Sequence, residues 1–427
     1  MRWNKQKSCW DCEVNGGEST FSTWSVVLCT GFASKPYTPP YKGMDDFKGY
    51  KVHTSKWPQS GFSLDDQKVA IIGTGASGVQ AIQEVASVAS QLTVFQRTPN
   101  TALPMTNPNQ TAAMNKTMRT GFLDTAEKMK ETFAGFDYQF DFSKPHDVPK
   151  EDRFKFYEEL YHRGGLQFWL GTYMDVLFDE EINQEAYEFW RQKTLPRIKD
   201  PRHQEILAPE KKHDPFGTKR ISLETNYFEC FNQDNVEIVN MKENNIAEIV
   251  PEGIKTEDGK LHELDVIVFA TGFDSITGGI TQIPIYGTEG QTIEEKWRSG
   301  TYTQLGMTTS GFPNLFFTYG PQAPTAFATG PSSAETQGAW IVECLKYMRE
   351  KGYSSIDATR EAEEEWRRHT NEVADKSLFP QANSWYFGKN IPGKAKEALN
   401  YMGGLPEYRS RCNDSAAKGY EGFVLVQ

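Results

Sequence analysis

Residues 68–97 read KVAIIGTGASGVQAIQEVASVASQLTVFQR, the pattern of a strand, a glycine-rich turn, a helix and a second strand. Val69–Ile72 is short and continuously apolar, which is typical of a strand buried in a parallel sheet. Val79–Ala89 predicts a helix, and Leu92–Phe95 predicts the next strand. The segment is therefore predicted to form one βαβ unit.

The turn between strand and helix has the spacing G-x-G-x-x-G. Glycines permit a tight turn and close backbone approach there, so that a pyrophosphate can sit at the positively polarised helix N-terminus. The alternative is a glycine turn with a purely structural role. We expect a dinucleotide site formed by Gly73, Thr74, Gly75, Ala76, Ser77, Gly78, Val79 and Gln80.

The end of the second strand indicates which dinucleotide would bind. NAD and FAD sites usually offer an acidic residue to the ribose hydroxyls at this point. Here the strand is followed by Arg97 and Thr98, with Arg97 19 residues after Gly78. Because an arginine can hold a 2′-phosphate by charge-assisted hydrogen bonds, we predict that these residues bind NADP. The alternative is an arginine that only faces solvent.

Outside this unit the pattern changes between helical and strand-rich segments. Residues 101–215 are mostly helical by pattern and rich in aromatic side chains, as expected of an insertion. Strands return at Val236–Val239, Ile249–Val250 and Val266–Phe269. The charged run Glu361–Arg368 predicts a solvated helix face.

The first residues predict a β-hairpin, and its second strand belongs to a weak internal repeat. Cys9–Val14 alternates, a glycine turn follows, and Ser25–Leu28 resumes a strand. Val26–Ser34 resembles Ile267–Ser275, because each is an apolar strand that closes on Thr-Gly-Phe. The second copy closes the domain that contains the βαβ unit. The residues before the first copy are too few for a second unit of about 30 residues, so the domain it closes is expected to be incomplete.

Composition argues against several classes of protein. The 427 residues imply two or more domains, and their net charge of −11 argues against nucleic-acid or acidic-membrane partners. No apolar run approaches the about 20 residues that span a bilayer. Six cysteines are too few for a disulfide scaffold, so a reducing, cytoplasmic compartment is expected. Cys9 and Cys12 fit a strand better than a metal or redox site, and the histidines lack metal-ligand spacing, so no metal is predicted.

Phe47–Pro58 matches the pattern F-x-G-x-x-x-H-T-x-x-W-P at every specified position. This pattern resembles the fingerprint of the type I Baeyer–Villiger monooxygenases, a family of the flavin-containing monooxygenase superfamily. The resemblance extends over essentially the whole chain. It continues at Asp214–Arg220, Ser310–Phe317, Gly320-Pro321, Ser384–Tyr386 and Ala417–Val424.

The resemblance implies an α/β fold with two dinucleotide-binding (Rossmann-like) domains, the FAD one incomplete, and a helical insertion. The FAD domain's own G-x-G-x-x-G and the segment that follows it have no counterpart in this sequence. The expected domains are residues 1–43 (remnant of the FAD-binding domain), 44–100 (first segment of the NADP-binding domain), 101–215 (helical insertion), 216–270 (second segment of the NADP-binding domain) and 271–427 (C-terminal segment of the FAD-binding domain).

The resemblance also implies a function and the residues that perform it. A member of this family uses FAD and NADPH, with molecular oxygen, to insert one oxygen atom into a small ketone and give an ester or lactone. Arg220 matches the family's catalytic arginine, and Lys219 matches a residue that supports the 2′-phosphate beside Arg97. Trp385 would donate its indole N–H to the cofactor, or serve only in the core, and His53 would belong to the hinge between domains.

The sequence leaves other interpretations open. The chain is an incomplete sequence of such an enzyme, or it is a shortened, flavin-free NADP-binding relative. A nicotinamide-only dehydrogenase is a third interpretation, based on Tyr347 and Lys351. The sequence does not identify the ketone, whose selection is expected to depend on the helical insertion and on the loop Gln322–Phe327.

Overall fold

The computed structural model describes residues 1–107, 109–325 and 328–427. The chain folds into two compact units, each assembled from separate stretches of sequence. Unit 1 comprises Met1–Lys35, Gln110–Gln139 and Asp274–Gln427, and unit 2 comprises Pro36–Asn109 and Phe140–Phe273. No helix in the described ranges of the chain is both long and apolar enough to cross a membrane.

Short strands alternate with helices along the chain. The strands are β1 (Arg2–Asn4), β2 (Cys9–Val14), β3 (Ser19–Thr23), β4 (Val26–Leu28), β5 (Tyr50–His53), β6 (Lys68–Ile72), β7 (Gln91–Gln96), β8 (Leu103–Pro104), β9 (Leu223–Glu224), β10 (Val236–Asn240), β11 (Ile246–Val250), β12 (Gly253–Thr256), β13 (Leu261–Glu263), β14 (Val266–Phe269), β15 (Leu315–Phe317), β16 (Ser355–Ala358) and β17 (Phe423–Val426). The helices are α1 (Ala76–Val85), α2 (Ala112–Thr120), α3 (Phe122–Lys130), α4 (Lys150–Arg163), α5 (Gln167–Leu170), α6 (Glu180–Thr194), α7 (Pro201–Leu207), α8 (Tyr227–Cys230), α9 (Gly278–Thr281), α10 (Ile293–Lys296), α11 (Gly330–Lys351), α12 (Arg360–Asp375) and α13 (Leu405–Ala417).

Unit 2 is built on a five-stranded sheet in the order β10-β7-β6-β14-β5. All four neighbouring pairs are parallel. The apolar residues of β6 and β14 are buried, because these two central strands are covered on both faces. The predicted βαβ unit and α/β class are confirmed. Helix α1 begins earlier than predicted, immediately after Gly75, and ends at Val85 where the chain continues in turns. Strand β5 at the sheet edge was not predicted.

The predicted helical insertion, residues 101–215, is helix-rich but does not form one body. Gln110–Gln139 belongs to unit 1, and the residues from Phe140 onward belong to unit 2. Backbone hydrogen bonds explain why Gln110–Gln139 belongs to unit 1. Leu405 N–H donates to the carbonyl of Phe133, and Thr329 N–H donates to the carbonyl of Ala134. In unit 2 the buried Trp190 donates its indole N–H to the carbonyl of Ala102 at 2.9 Å. The segment is therefore divided between the two units.

The N-terminal hairpin of unit 1 has a different second strand from the predicted one. Strand β2 pairs antiparallel with β3, Ser19–Thr23, and also with β1. Strand β4, which was predicted to complete the hairpin, instead pairs in parallel with β15. The prediction failed because Ser19–Thr23 is mostly polar and gives no apolar alternation. The two Thr-Gly-Phe repeats do follow equivalent strands, β4 in unit 1 and β14 in unit 2.

The charged run Glu361–Arg368 lies on α12, but it is not wholly solvated. Glu363 is 4% exposed and forms an ion pair with Lys296 at 2.9 Å. Its carboxylate also accepts hydrogen bonds from the backbone N–H and hydroxyl of Ser310 at 2.8 and 2.7 Å. Trp366, one turn further along the helix, is buried as well. The solvated-face prediction was therefore wrong for the side of α12 that contains these two residues.

Candidate functional site

The glycine-rich turn brings the start of α1 into backbone contact with the strands beside it. Gly73 has φ +106°, and a Cβ there would lie 2.5 Å from the carbonyl oxygen of Ala270, at the end of β14. A Cβ on Gly78 would lie 2.1 Å from the carbonyl oxygen of Gly73. Both distances are far below van der Waals contact. These two glycines are therefore required by the fold itself.

Gly75 has different surroundings from Gly73 and Gly78. A Cβ placed on Gly75 would meet nothing within 4 Å, so open space lies above this residue. Gly75 is the N-cap of α1 and has no side chain to accept hydrogen bonds from the first helical turn. Exposed Ala76 and half-buried Ser77 follow it, each without a bulky side chain. Open space in front of helical N–H donors is the arrangement that receives a phosphate group.

Thr74 and Val79 of the predicted dinucleotide site have buried, structural positions. The hydroxyl of Thr74 donates to the carbonyl of Thr98 at 2.9 Å, which ties the turn to the chain after β7. Val79 is completely buried, so its side chain belongs to the core. Gln80 is exposed on the next turn of α1. Sequence reasoning missed Asn100, whose amide donates to Thr74 O and Ser222 Oγ, each at 2.9 Å.

The predicted cationic residues all belong to unit 2. Arg97 follows strand β7, and Lys219 and Arg220 lie in the loop before β9. Arg97 is exposed directly after β7. Lys219 forms an ion pair with Asp214 at 2.7 Å. Lys219 and Arg220 line one cavity together with Asn100, Tyr187 and Trp190. The fold thus brings the segment Asp214–Arg220 to the same cavity wall as the residues that follow β7.

A further lysine beside these residues was not predicted. Lys242 follows β10, the neighbour of β7, and its Nζ lies 2.7 Å from Nδ1 and 3.0 Å from Nε2 of His213. His213 lines the same cavity as Lys219 and Arg220. The pKa of His213 is lowered, first by partial burial and then by the charge of Lys242. Only the strand order of the sheet, which the sequence does not state, would have identified Lys242.

His53 of the fingerprint motif lies at the end of β5 and is 7% exposed. Its Nδ1 accepts a hydrogen bond from Ser55 N–H at 3.1 Å, so Nε2 carries the proton that is donated to Gly272 O at 3.0 Å. Gly272 also accepts from Tyr37 N–H at 2.9 Å. His53 therefore anchors the chain where it passes from unit 2 to unit 1 near Phe273. Burial lowers the pKa of His53, which suits a structural group rather than an acid or base.

Trp385, the remaining predicted site residue, lies in unit 1. Its ring stacks on Phe32 with centroids 5.6 Å apart, next to the first Thr-Gly-Phe turn. Tyr347 belongs to the alternative pair with Lys351. Its ring packs against the ring of Tyr420, with centroids 5.1 Å apart. Among the described residues no group of histidine, cysteine, aspartate or glutamate has the arrangement of a metal site.

Comparison with known proteins identifies the family. Residues 2–123 match the family model described as pyridine nucleotide-disulphide oxidoreductase. The chain is 48% identical over 401 residues to the cyclopentanone 1,2-monooxygenase of a Comamonas species, covering 94% of this chain and 73% of that protein. It is 34% identical to the cyclohexanone 1,2-monooxygenase of an Acinetobacter species, covering 99% of this chain and 77% of that protein. The chain belongs to the Baeyer–Villiger monooxygenase family.

Solved structures agree with this assignment. A crystal structure of OTEMO in complex with FAD and NADP has a TM-score of 0.95 at 35% identity, and the match covers all of this chain and 79% of that one. The closed crystal structure of cyclohexanone monooxygenase has a TM-score of 0.94 at 36% identity, covering 99% and 78%. The chain therefore shares the fold of the Baeyer–Villiger monooxygenase structures, with a complete parallel sheet in unit 2.

The two kinds of glycine in the turn predict different consequences of adding one methyl group. Gly75→Ala places it in open space, so stability should change by no more than about 0.5 kcal/mol while NADP⁺ affinity falls about tenfold. Gly78→Ala forces it against Gly73 O and should destabilise unit 2 by about 1–3 kcal/mol or more. Thermal unfolding and calorimetric titration measure the two effects. Equal destabilisation by both variants would contradict the assigned roles.

His53 predicts a specific dependence of stability on pH. Its pKa is lowered in the folded protein, so the unfolded chain binds the proton more readily. The resulting stabilisation is present above about pH 6.5 and is lost as the pH falls through the folded pKa. The unfolding temperature of His53→Gln should therefore fall less than that of the wild type between about pH 7.5 and pH 5.5.

The matched control for this experiment is His146→Gln. The hydrogen bond that His146 donates to Asp179 raises the pKa of His146, so its stabilisation is present at low pH and is lost as the pH rises. The control should therefore shift the pH dependence in the opposite direction. A His53→Gln variant that follows the wild-type profile would show that His53 does not stay neutral in the folded protein.

Proposed function

We propose that this protein is an NADPH- and FAD-dependent monooxygenase that inserts one oxygen atom beside the carbonyl of a ketone, giving an ester or lactone. The observation that carries the proposal is the open space above Gly75, together with the cavity of the same unit that Lys219 and Arg220 line. Relatives that act on cyclopentanone, cyclohexanone and acetone support the choice of a ketone. The six cysteines are free thiols, which supports a reducing, cytoplasmic setting.

NADP fits the residues that unit 2 provides. The space in front of Gly75 and the N-terminal donors of α1 would receive the diphosphate. Arg97, Thr98 and Lys219 would hold the adenosine end, with the two cations at the 2′-phosphate. Gly73 and Gly78 contribute indirectly, since they allow the helix to begin this close to the sheet. We therefore assign unit 2 as the NADP-binding domain.

Arg220 is proposed as the catalytic residue. It is exposed and lines the cavity that Lys219 also borders. A guanidinium stays protonated at any working pH and offers five N–H donors, so it can hold the carboxamide of NADP and stabilise negative charge near the reacting atoms. The buried Trp190 lines the same cavity.

FAD fits the described residues only to a limited extent. In unit 1 the Thr30-Gly31 turn after β4 has open space beyond Gly31, which has φ +68°, and Trp385 stacks nearby on Phe32. A glycine-rich turn for the FAD diphosphate is not found among the described residues of this unit. When bound, FAD would accept hydride from NADPH and activate oxygen. We propose unit 1 as the FAD-related domain.

Selection of the ketone is proposed to involve the helical segment of unit 2 and the loop Gln322–Phe327. Gln322 is buried and donates to the carbonyl of Thr301 at 2.8 Å, so the start of this loop is fixed. Ala326 and Phe327 lie outside the described residues. The cavity beside Arg220 is lined by Tyr187 and Trp190 from α6, which supports a contribution of this helix to the shape of the site.

Replacement of Arg220 tests the function most sharply. In flavin-containing protein, Arg220→Ala should lower the rate of ester or lactone formation about 100-fold or more, because a permanent positive charge is lost from the reacting centre. NADP⁺ binding should remain. Gas chromatography of products from cyclopentanone, cyclohexanone and acetone measures the rate, and calorimetry measures binding.

The matched control is Arg202→Ala. Arg202 lies on α7 of the same unit and pairs with Asp200 at 2.7 Å on the surface, so its removal should leave the rate unchanged. Full product formation by Arg220→Ala would contradict the catalytic assignment. NADP⁺ binding by wild-type protein with no product from any ketone would favour the second candidate, an NADP-binding protein without flavin chemistry.

A further inference from the structure

Lys242 has a position that neither the sequence motifs nor the assigned roles explain. We infer that Lys242 is a further ligand of the NADP 2′-phosphate and helps this protein to select NADP over NAD. The inference rests on the proposed function, because it requires that NADP binds at the carboxyl end of the unit 2 sheet. Strand register, the contact with His213 and the local balance of charge support this role.

Strand register places Lys242 beside Arg97. Strands β10 and β7 run parallel, with Asn240 paired to Gln96, and Met241 N–H donates to Gln96 O at 2.8 Å. Arg97 and Lys242 therefore follow the last paired residues of two adjacent strands. The carboxyl ends of parallel strands share one edge of a sheet, where ligands of such folds bind.

The turn after β10 holds Lys242 in this position. Lys242 N–H donates to Asn240 Oδ1 at 3.2 Å, and Glu243 N–H donates to the carbonyl of Asn240 at 3.1 Å. The carboxylate of Glu243 accepts a hydrogen bond from Asn240 Nδ2 at 3.0 Å. Asn240 thus fixes the backbone of the turn and also engages its acidic side chain.

The Lys242 side chain contacts an imidazole rather than a carboxylate. Its ammonium can only donate, so a ring nitrogen of His213 accepts, and His213 lines the cavity bordered by Lys219 and Arg220. By contrast, Lys68 and Lys260 of the same unit pair with Glu263 and Glu237. The neutral partner holds the Lys242 ammonium in place without neutralising its charge.

The charges around Lys242 favour an anion. Partial burial lowers the pKa of Lys242. The positive charges of Lys219 and Arg97 lower it further, whereas the negative charge of Asp214 raises it. Asp214 is itself held by Lys219 at 2.7 Å. Lys242, Lys219 and Arg97 outnumber Asp214 and the neighbouring Glu243, which leaves an excess of positive charge among these five groups in a protein whose net charge is −11. A phosphate monoester, with a charge of about −1.5 to −2 at neutral pH, would balance that excess.

Calorimetric titration of the purified protein with NADP⁺ and with NAD⁺ tests the inference. Lys242→Met removes the charge and keeps most of the apolar stem, so NADP⁺ should bind about tenfold more weakly while NAD⁺ affinity stays unchanged. Lys242→Arg should restore most of the selectivity. Lys68→Met is the matched control, because it changes net charge equally at the amino end of β6 and should leave both affinities unchanged.

Each result has a definite meaning. A selective loss of NADP⁺ affinity in Lys242→Met, rescued by arginine, supports the inference. Equal NADP⁺ affinities of Lys242→Met and Lys68→Met would overturn it, and wild-type preference for NADP⁺ would then leave the proposed function standing. Wild-type protein that binds NADP⁺ no better than NAD⁺ would overturn the proposed NADP site and the role of Lys242 together.

Discussion

The backbone approach of α1 to the end of the central strands is the constraint on which the unit 2 site depends. The carbonyls of Gly73 and Ala270 occupy the space that side chains on Gly78 and Gly73 would need. Because helix and strands meet this closely, the first turn of α1 opens directly above the carboxyl edge of the sheet. The same edge ends in Arg97 after β7 and Lys242 after β10. The proposed NADP site would therefore take its donors from α1 and its cations from two adjacent strands of a single sheet.

The same edge also contains the connection between the two units. Strand β14 ends beside Gly73 and continues into Thr271 and Gly272, whose carbonyl is held by His53 and by Tyr37. The fingerprint motif and the glycine-rich turn differ in role, yet both contact residues that follow β14. His53 contacts Gly272, and Gly73 lies against Ala270. His53 is buried, both its ring nitrogens are engaged and burial lowers its pKa, which favours a positioning role for this motif.

The sequence predicted the elements of the fold whose side chains and glycines carry strong local signals. The βαβ unit was identifiable because Val69–Ile72 is continuously apolar and three glycines follow at fixed spacing. Strand β3 was missed because its residues are mostly polar, and Glu363 was assigned to solvent because its neighbours are charged. Lys242 and Asn100 were missed for another reason. Their positions depend on strand order and on a loop contact, which local pattern does not encode.

The visible absorption spectrum of the purified protein after addition of FAD tests the central claim most directly. We expect a bound flavin band that NADPH, and not NADH, bleaches without oxygen. The band should return when air and a ketone are admitted, together with formation of an ester or lactone. A protein that binds NADP⁺ but stays colourless with FAD, or whose flavin NADPH does not reduce, would contradict the proposed function.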